Sequence, residues 1–251
     1  MGQLRIGAST SLCKHILLPY LQDFIKDNPH IKVSIDCKPT FETLKQLEAD
    51  KIDIGLICET ELDKSYSFMP IRNIHDTFVA SKTYLNNLAL RESGSEKKYN
   101  DNNILTTPNI AGLIMFSDHN NNSEDLLLLK EKEILEKCNL MLLDKGNISR
   151  IYIDDYLNSN NIHPEQILEI NNMDLLIDFA AIGMGVAGVV REFVSEYIDN
   201  ARVIEIPMDY EIEPRTVGFV YNSKSISQTT GKFINSLASF ELPEHTDTSQ
   251  S

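Results

Sequence analysis

The chain has 251 residues, 42 % apolar and 24 % charged, which is enough for one large or two small globular domains with a substantial core. Its 23 basic residues against 37 acidic ones give a formal charge of -14, which argues against a phosphate-gripping surface and against nucleic-acid binding by this segment alone. No apolar run approaches the roughly 18 residues of a membrane span.

Met1-Gly2 leads directly into an alternating apolar strand with no basic leader or cleavage site, so a cytosolic protein is expected, with no membrane partner. Cys13, Cys37, Cys58 and Cys138 are widely spaced and form no CxxC pair. Neither a zinc knuckle nor a redox dithiol is suggested, and reduced, mostly buried thiols are expected.

Residues 4–8 read as a short buried strand, and Ser9-Thr10-Ser11 follows as a candidate helix cap. The helix then runs to about Lys26, with Ile16, Leu17, Tyr20, Leu21, Phe24 and Ile25 at three-and-four spacing, and Asn28-Pro29 stops it. Residues 31–35 alternate like a strand, Lys38-Pro39-Thr40 turns, residues 41–50 carry Leu44 and Leu47 on one helical face, and residues 52–57 form another strand. Strands separated by helices at this spacing imply βαβ crossovers and a parallel sheet.

Residues 76–81 are a further strand. Residues 86–125, rich in Asn, Lys, Glu and Ser around an apolar island at 110–116, read as a surface insertion, partly disordered near Asn120-Asn121-Asn122. Ser123 is a candidate cap for a helix through Lys137.

The same series of elements then recurs. Residues 139–144 form a strand, Lys145-Gly146-Asn147-Ile148-Ser149 a polar turn, and a helix carries Ile151, Tyr152, Tyr156 and Leu157. Asn161-Ile162-His163-Pro164 stops it; residues 166–170 are a strand, Asn171-Asn172 a turn, residues 173–182 a helix and residues 186–190 a strand. A βαβαβ unit written twice makes two similar lobes. Strands at 203–206 and 216–221 and a helix over about 225–239 complete the chain. If these late strands return to the first lobe, two extended crossovers, near 79–82 and 202–207, join the lobes around a cleft. Polar turns at the carboxyl ends of parallel strands would line it.

The segments LRIGASTS, LLPYLQDFIKDNPHIKVSI, TFETLKQLEADKIDIGLI, LMLLDKGNISRIYIDDYL and NNMDLLIDFAAIGMGVAGVV resemble, in this order, the effector-binding domain of LysR-type transcriptional regulators. The resemblance covers about residues 4–238 apart from the 86–125 region. It implies an α/β protein of type 2 periplasmic-binding-protein architecture, with two Rossmann-like lobes joined by two crossover strands. Lobe I would comprise residues 3–81 and 203–240, lobe II residues 82–202, and residues 241–251 a disordered tail. It further implies that an effector binds between the lobes, which the helix N-termini and spare hydroxyls of the polar turns make a small anionic metabolite, and that DNA is reached only through an N-terminal helix-turn-helix domain absent from this chain. A solute-binding protein of an uptake system is the alternative on the same fold.

Ser9, Thr10 and Ser11 offer more hydroxyls than capping uses. With Thr40, Lys145, Gly146, Asn147, Ser149 and Asn172 at the corresponding turns, they are the candidate effector-binding residues. The first helix carries more apolar surface than one sheet contact requires. The resemblance implies a homodimer in which this helix packs against the partner's helix at about 148–158, through Ile16, Leu17, Tyr20, Phe24, Tyr152 and Tyr156.

Gly183-Met184-Gly185-Val186-Ala187-Gly188 satisfies GxGxxG, but the glycines follow a helix and enter a strand, the reverse of a dinucleotide site, so a tight helix-to-strand turn is expected. The six histidines lie in unrelated contexts, no HExxH or GxSxG is present, and Asp53, Asp154 and Asp155 read as solvated acids. No catalysis, metal or cofactor is expected.

Overall fold

The computed structural model describes residues 2–92, 104–105, 113–117 and 126–238. By backbone contacts the chain forms two units, residues 1–71 with 218–251, and residues 72–217. The crossings therefore fall at 71/72 and 217/218 rather than near 79–82 and 202–207.

The first unit begins with β1 (Gln3–Ala8) and a continuous helical run of α1 (Thr10–Leu12), a π-helical stretch (Cys13–Leu17) and α2 (Leu18–Asp27). β2 (Lys32–Cys37), α3 (Thr40–Glu48), β3 (Ile54–Cys58) and β4 (Tyr66–Ile74) follow. With β13 (Arg215–Asn222) they make a sheet of order β2-β1-β3-β13-β4, in which β1 runs parallel to β2 and β3. β4 is not among the strands read from the sequence; it contains Pro70 and lies at the sheet edge, where proline is tolerated.

The first helix buries its apolar face inside this unit. Tyr20 meets Phe219 edge-on at 5.9 Å, Phe219 meets Phe233 at 5.6 Å, and Phe24 meets Phe233 at 5.0 Å, with Phe233 supplied by α9 (Gln228–Ala238). Edge-to-face pairs of this kind contribute roughly 0.5–1.5 kcal/mol each beyond their burial.

The second unit contains β5 (Asp76–Ala80) and α4 (Lys82–Glu92), then the short strands β6 (Ile104–Leu105), β7 (Leu113–Ser117) and β8 (Leu126–Lys130), paired antiparallel. α5 (Glu131–Lys137), β9 (Asn139–Leu142), α6 (Ile148–Ser159), β10 (Gln166–Glu169), α7 (Met173–Ala181), β11 (Val186–Val190), α8 (Arg191–Asp199) and β12 (Ile204–Glu205) follow. Its main sheet has the order β10-β9-β11-β5-β12, with β9 parallel to β10 and β11, and β5 antiparallel to β11 and β12. The repeat read from the sequence is thus present as topology: in each sheet the first strand of the unit lies between the second and the third.

β5 and β12, expected in the first lobe, are strands of this second sheet, which β5 completes with five fully buried residues. The expected helix over 123–137 is a strand followed by a shorter helix. The leucines at 126–129 have no three-and-four spacing, and their backbone pairs with β7. α4 runs into the expected insertion, and Leu85, Leu88 and Ala89 are buried in the unit's core. Asn120-Asn121-Asn122 and the tail 241–251 lie outside the described residues. Among the described residues no helix is long and apolar enough to cross a membrane.

The glycine run is the expected helix-to-strand turn. Gly183 has φ +82°, its N–H donates to Ala180 O and that of Met184 to Phe179 O, which closes α7 as a Schellman motif. A Cβ on Gly185 would stand 2.2 Å from the backbone oxygen of Asn139, so only glycine lets β11 enter beside β9.

Candidate functional site

In the first unit β1 and β2 end side by side, with Ala8 opposite Cys37, and each strand turns at once into a helix start. Ser9 is the cap of the first: its Oγ accepts from Leu12 N at 3.3 Å. Thr10 is exposed and Ser11 half-buried, and among the described residues neither hydroxyl is engaged in a hydrogen bond. The second start is capped by Pro39, which has no side-chain acceptor, and Thr40 is the first helical residue of α3. Thr43 behind it is buried and donates to Lys38 O at 3.1 Å, which fixes the turn. Two neighbouring helix N-termini therefore present leading amides and the hydroxyls of Thr10, Ser11 and Thr40, a set of neutral donors suited to an anion.

The second unit repeats the arrangement at the ends of β9 and β10. Asn147 caps α6, its Oδ1 accepting from Ser149 N at 2.9 Å, and Asn172 caps α7 by accepting from Leu175 N at 3.0 Å. Lys145 and Gly146 are exposed, and the Cα of Gly146 faces open space. Among the described residues Lys145 makes no ion pair. Ser149 is different, because it is buried and its Oγ accepts from Arg215 Nη2 at 2.9 Å.

That arginine belongs to a buried group that the sequence reading missed, since its members lie far apart along the chain. Arg215 Nη2 donates to Asp76 Oδ1 at 2.8 Å and stands 2.7 Å from Oδ2, while the guanidinium lies 5.1 Å from the ring centroid of Tyr152. Burial pushes the Asp76 carboxyl up to about 6, and Arg215 and Ser149 pull against it. Asp76, Ser149 and Arg215 all belong to the second unit, where the group ties the start of α6 to β5. Close by, Arg150 is also buried, but Asp154, Glu169 and Leu143 O take up its N–H groups.

Several expectations change. Asp53 is not a solvated acid: it accepts from Arg5 N at 2.7 Å and pairs with the Arg5 guanidinium at 2.6 Å; Asp154 is held by Arg150 at 2.8 Å. His75 bonds Glu192 at 2.6 Å. Ile16, Leu17, Tyr20 and Phe24 are at most 5 % exposed, so they are the first unit's own core and cannot also bury area against a second subunit. Tyr156 is likewise buried, donating to Glu131 at 2.5 Å, and Tyr152 packs on the second unit's core. The outward apolar residues of these helices are Leu18, Ile25 and Ile151. Of the four thiols only Cys58 and Cys138 are buried.

The LysR substrate binding domain family model matches residues 1–94 and 123–240, passing over the stretch the sequence marks as an insertion. No match was found among curated proteins. Similar solved structures include the regulatory domain of CcmR from Synechocystis PCC6803 in complex with 2-PG, with 14 % identity, TM-score 0.68, and coverage of 95 % of this chain and 97 % of that one. The apo regulatory domain of HypT from Salmonella typhimurium is similar at 13 % identity and TM-score 0.69, covering 95 % of each chain. The effector-binding domain of QuiR in complex with shikimate has 14 % identity and TM-score 0.64, covering 94 % of this chain and 95 % of that one. At these identities the structural likeness establishes the fold, and the family match establishes membership: the chain belongs to the LysR substrate-binding domain family, the ligand-binding regulatory domains of LysR-type transcriptional regulators.

Proposed function

We propose that this domain senses a small anionic metabolite and relays its binding to a DNA-binding domain outside this chain. The observation that carries the anionic reading is the pair of adjacent helix starts in the first unit, where Thr10, Ser11 and Thr40 hold hydroxyls beyond those that capping consumes. Lys145, Gly146, Asn147 and Asn172 extend the reading to the matching turns of the second unit. Ser149 contributes indirectly by holding Arg215 against the start of α6. Two structurally similar domains were solved with 2-PG and with shikimate, which supports a small-molecule ligand. A ligand can switch the domain only if it binds one conformation more tightly than another. The same reading places the protein in the cytosol and makes it a homodimer.

A thermal-shift screen of small carboxylates, phosphate and sulfate tests the proposal. A ligand at about 100 times its Kd stabilises by about 2.7 kcal/mol, a shift of several degrees for a chain of this size. Replacing Thr10 and Thr40 together by Val should leave the unliganded Tm within a degree or two and abolish the ligand-induced rise. A rise that survives in the double variant rejects these residues as the site, and absence of any anion-induced rise in the wild type rejects the anionic class.

A further inference from the structure

Cys13 and Cys37 lie 24 residues apart in sequence, yet their sulfurs are 3.9 Å from each other in the first unit. Cys37 is the last residue of β2, an edge strand whose residues are nearly all exposed, and is itself exposed; Cys13 opens the π-helical stretch and is partly buried. Both sit over the end of β1: Cys37 is in register with Ala8, and the Cys13 sulfur is 4.0 Å from Ala8 O. A disulfide needs an S–S distance of roughly 2.05 Å, so about 2 Å of closure separates the pair from a bond. The end of an edge strand can supply it, because among the described residues no second neighbouring strand holds Cys37 in place. π-helical turns, moreover, occur often at functional positions in helices.

We propose that Cys13 and Cys37 form a reversible intramolecular disulfide when the domain meets a hydroperoxide, with Cys37 as the residue oxidised first and Cys13 as the resolving thiol. Exposure makes Cys37 the accessible sulfur, whereas burial, with Cys37 beside it, pushes the Cys13 thiol up to about 12 and keeps it protonated. In the first step the Cys37 thiolate attacks the O–O bond. The S–O bond forms, the O–O bond breaks, and the leaving alkoxide takes a proton to give the alcohol. In the second step the Cys13 sulfur attacks the Cys37 sulfenic acid, the S–O bond breaks, and hydroxide leaves with the Cys13 proton as water. The two thiols together lose two electrons and two protons, and the hydroperoxide is reduced to alcohol and water. Cys58 and Cys138 are buried and stay outside this chemistry. The new bond tethers the Ser9–Ser11 turn to the Thr40 turn, since Cys13 follows the one and Cys37 precedes the other.

The test is tert-butyl hydroperoxide treatment of the folded 251-residue chain, followed by alkylation of remaining thiols, trypsin digestion and mass spectrometry. The expected product joins peptide 6–14 to peptide 33–45, the latter intact because Pro39 blocks cleavage after Lys38. Dithiothreitol should release both, and the oxidised chain should melt roughly 5 °C higher than the reduced one. In Cys13→Ser, Cys37 should stop as a sulfenic acid that dimedone traps. In Cys37→Ser, a change at an exposed position, Cys13 should remain alkylatable after the same treatment. The proposal is overturned if wild-type Cys37 proceeds to sulfinic acid while Cys13 stays free, if the linkage joins two chains, or if neither sulfur reacts.

Discussion

Asp76 and Arg215 meet where neither side chain reaches water: Asp76 is 4 % exposed, Arg215 likewise. A carboxylate there has lost its hydration, and Arg215 Nη2, lying against both its oxygens, offsets only part of that loss. Burial therefore raises the carboxyl from 3.8 to about 6 in the fold. A native pKa above the unfolded one means that the folded state binds the proton more tightly. This contribution to stability is fully present below pH 3.8 and is lost as pH rises through about 6. Asp76→Asn places a neutral isostere of the protonated acid beside Arg215 and should be more stable than the wild type at pH 7 by about 1–3 kcal/mol, read from urea unfolding. It should also remove the gain in stability that the wild type shows on going from pH 7 to pH 5. A variant less stable than the wild type at pH 7 would mean that the ionised pair outweighs the cost of burying it.

Four helices, α3, α6, α7 and α8, end in the same way, each with a left-handed residue whose N–H and whose successor's N–H return to the last turn. Gly183 and Asn161 fill that position in α7 and α6, and both are residue types from which a helix end can be read. Asp50 and Ala201 fill it in α3 and α8, at φ 52° and 54°, and neither announces a stop. Alanine there places its Cβ against the following carbonyl, while being exposed it gains nothing in packing. Ala201→Gly should therefore raise stability by about 0.5–1 kcal/mol, seen as a higher urea midpoint at unchanged slope; an unchanged or lower midpoint would show that the turn is unstrained. The same contrast governs what could be read from the sequence. Periodicity gives the first helix its apolar face but cannot count the surfaces packed on it, so Tyr20 and Phe24, which the resemblance assigns to a partner, are instead closed off by Phe219 and Phe233. β4 carries Pro70, which weakens any strand signal there and is tolerated because the strand is at an edge. The turn hydroxyls were legible because caps select them. The Asp76–Arg215 pair was not, because 139 residues separate its members.

At the scale of the whole chain, the repeat was readable because a parallel sheet demands strand, helix and strand in a fixed order, and the two sheets answer with one topology. Where the chain crosses between units was not, since a buried strand such as β5 carries no mark of the sheet that will accept it. The proposed homodimer belongs to this scale, and the structure moves its residues outward. Leu18 and Ile25 are 55 % and 46 % exposed on α2, one face at a spacing of seven, and Ile151 is 48 % exposed on α6. A stable pair buries about 800 Å² per partner, so these side chains would be anchors within a larger polar face. Each copy also carries a formal charge of -14, which opposes association until salt screens it; the Debye length falls from about 30 Å at 0.01 M to about 10 Å at 0.1 M. Sedimentation velocity should find the dimer fraction rising with salt across that range, the reverse of an interface held by ion pairs. Leu18→Asp with Ile25→Asp should sediment as a monomer at 0.1 M salt while keeping the wild-type circular dichroism spectrum. A double variant that remains dimeric would place the interface elsewhere, and a dimer that dissociates as salt rises would show that ion pairs, not apolar burial, hold it.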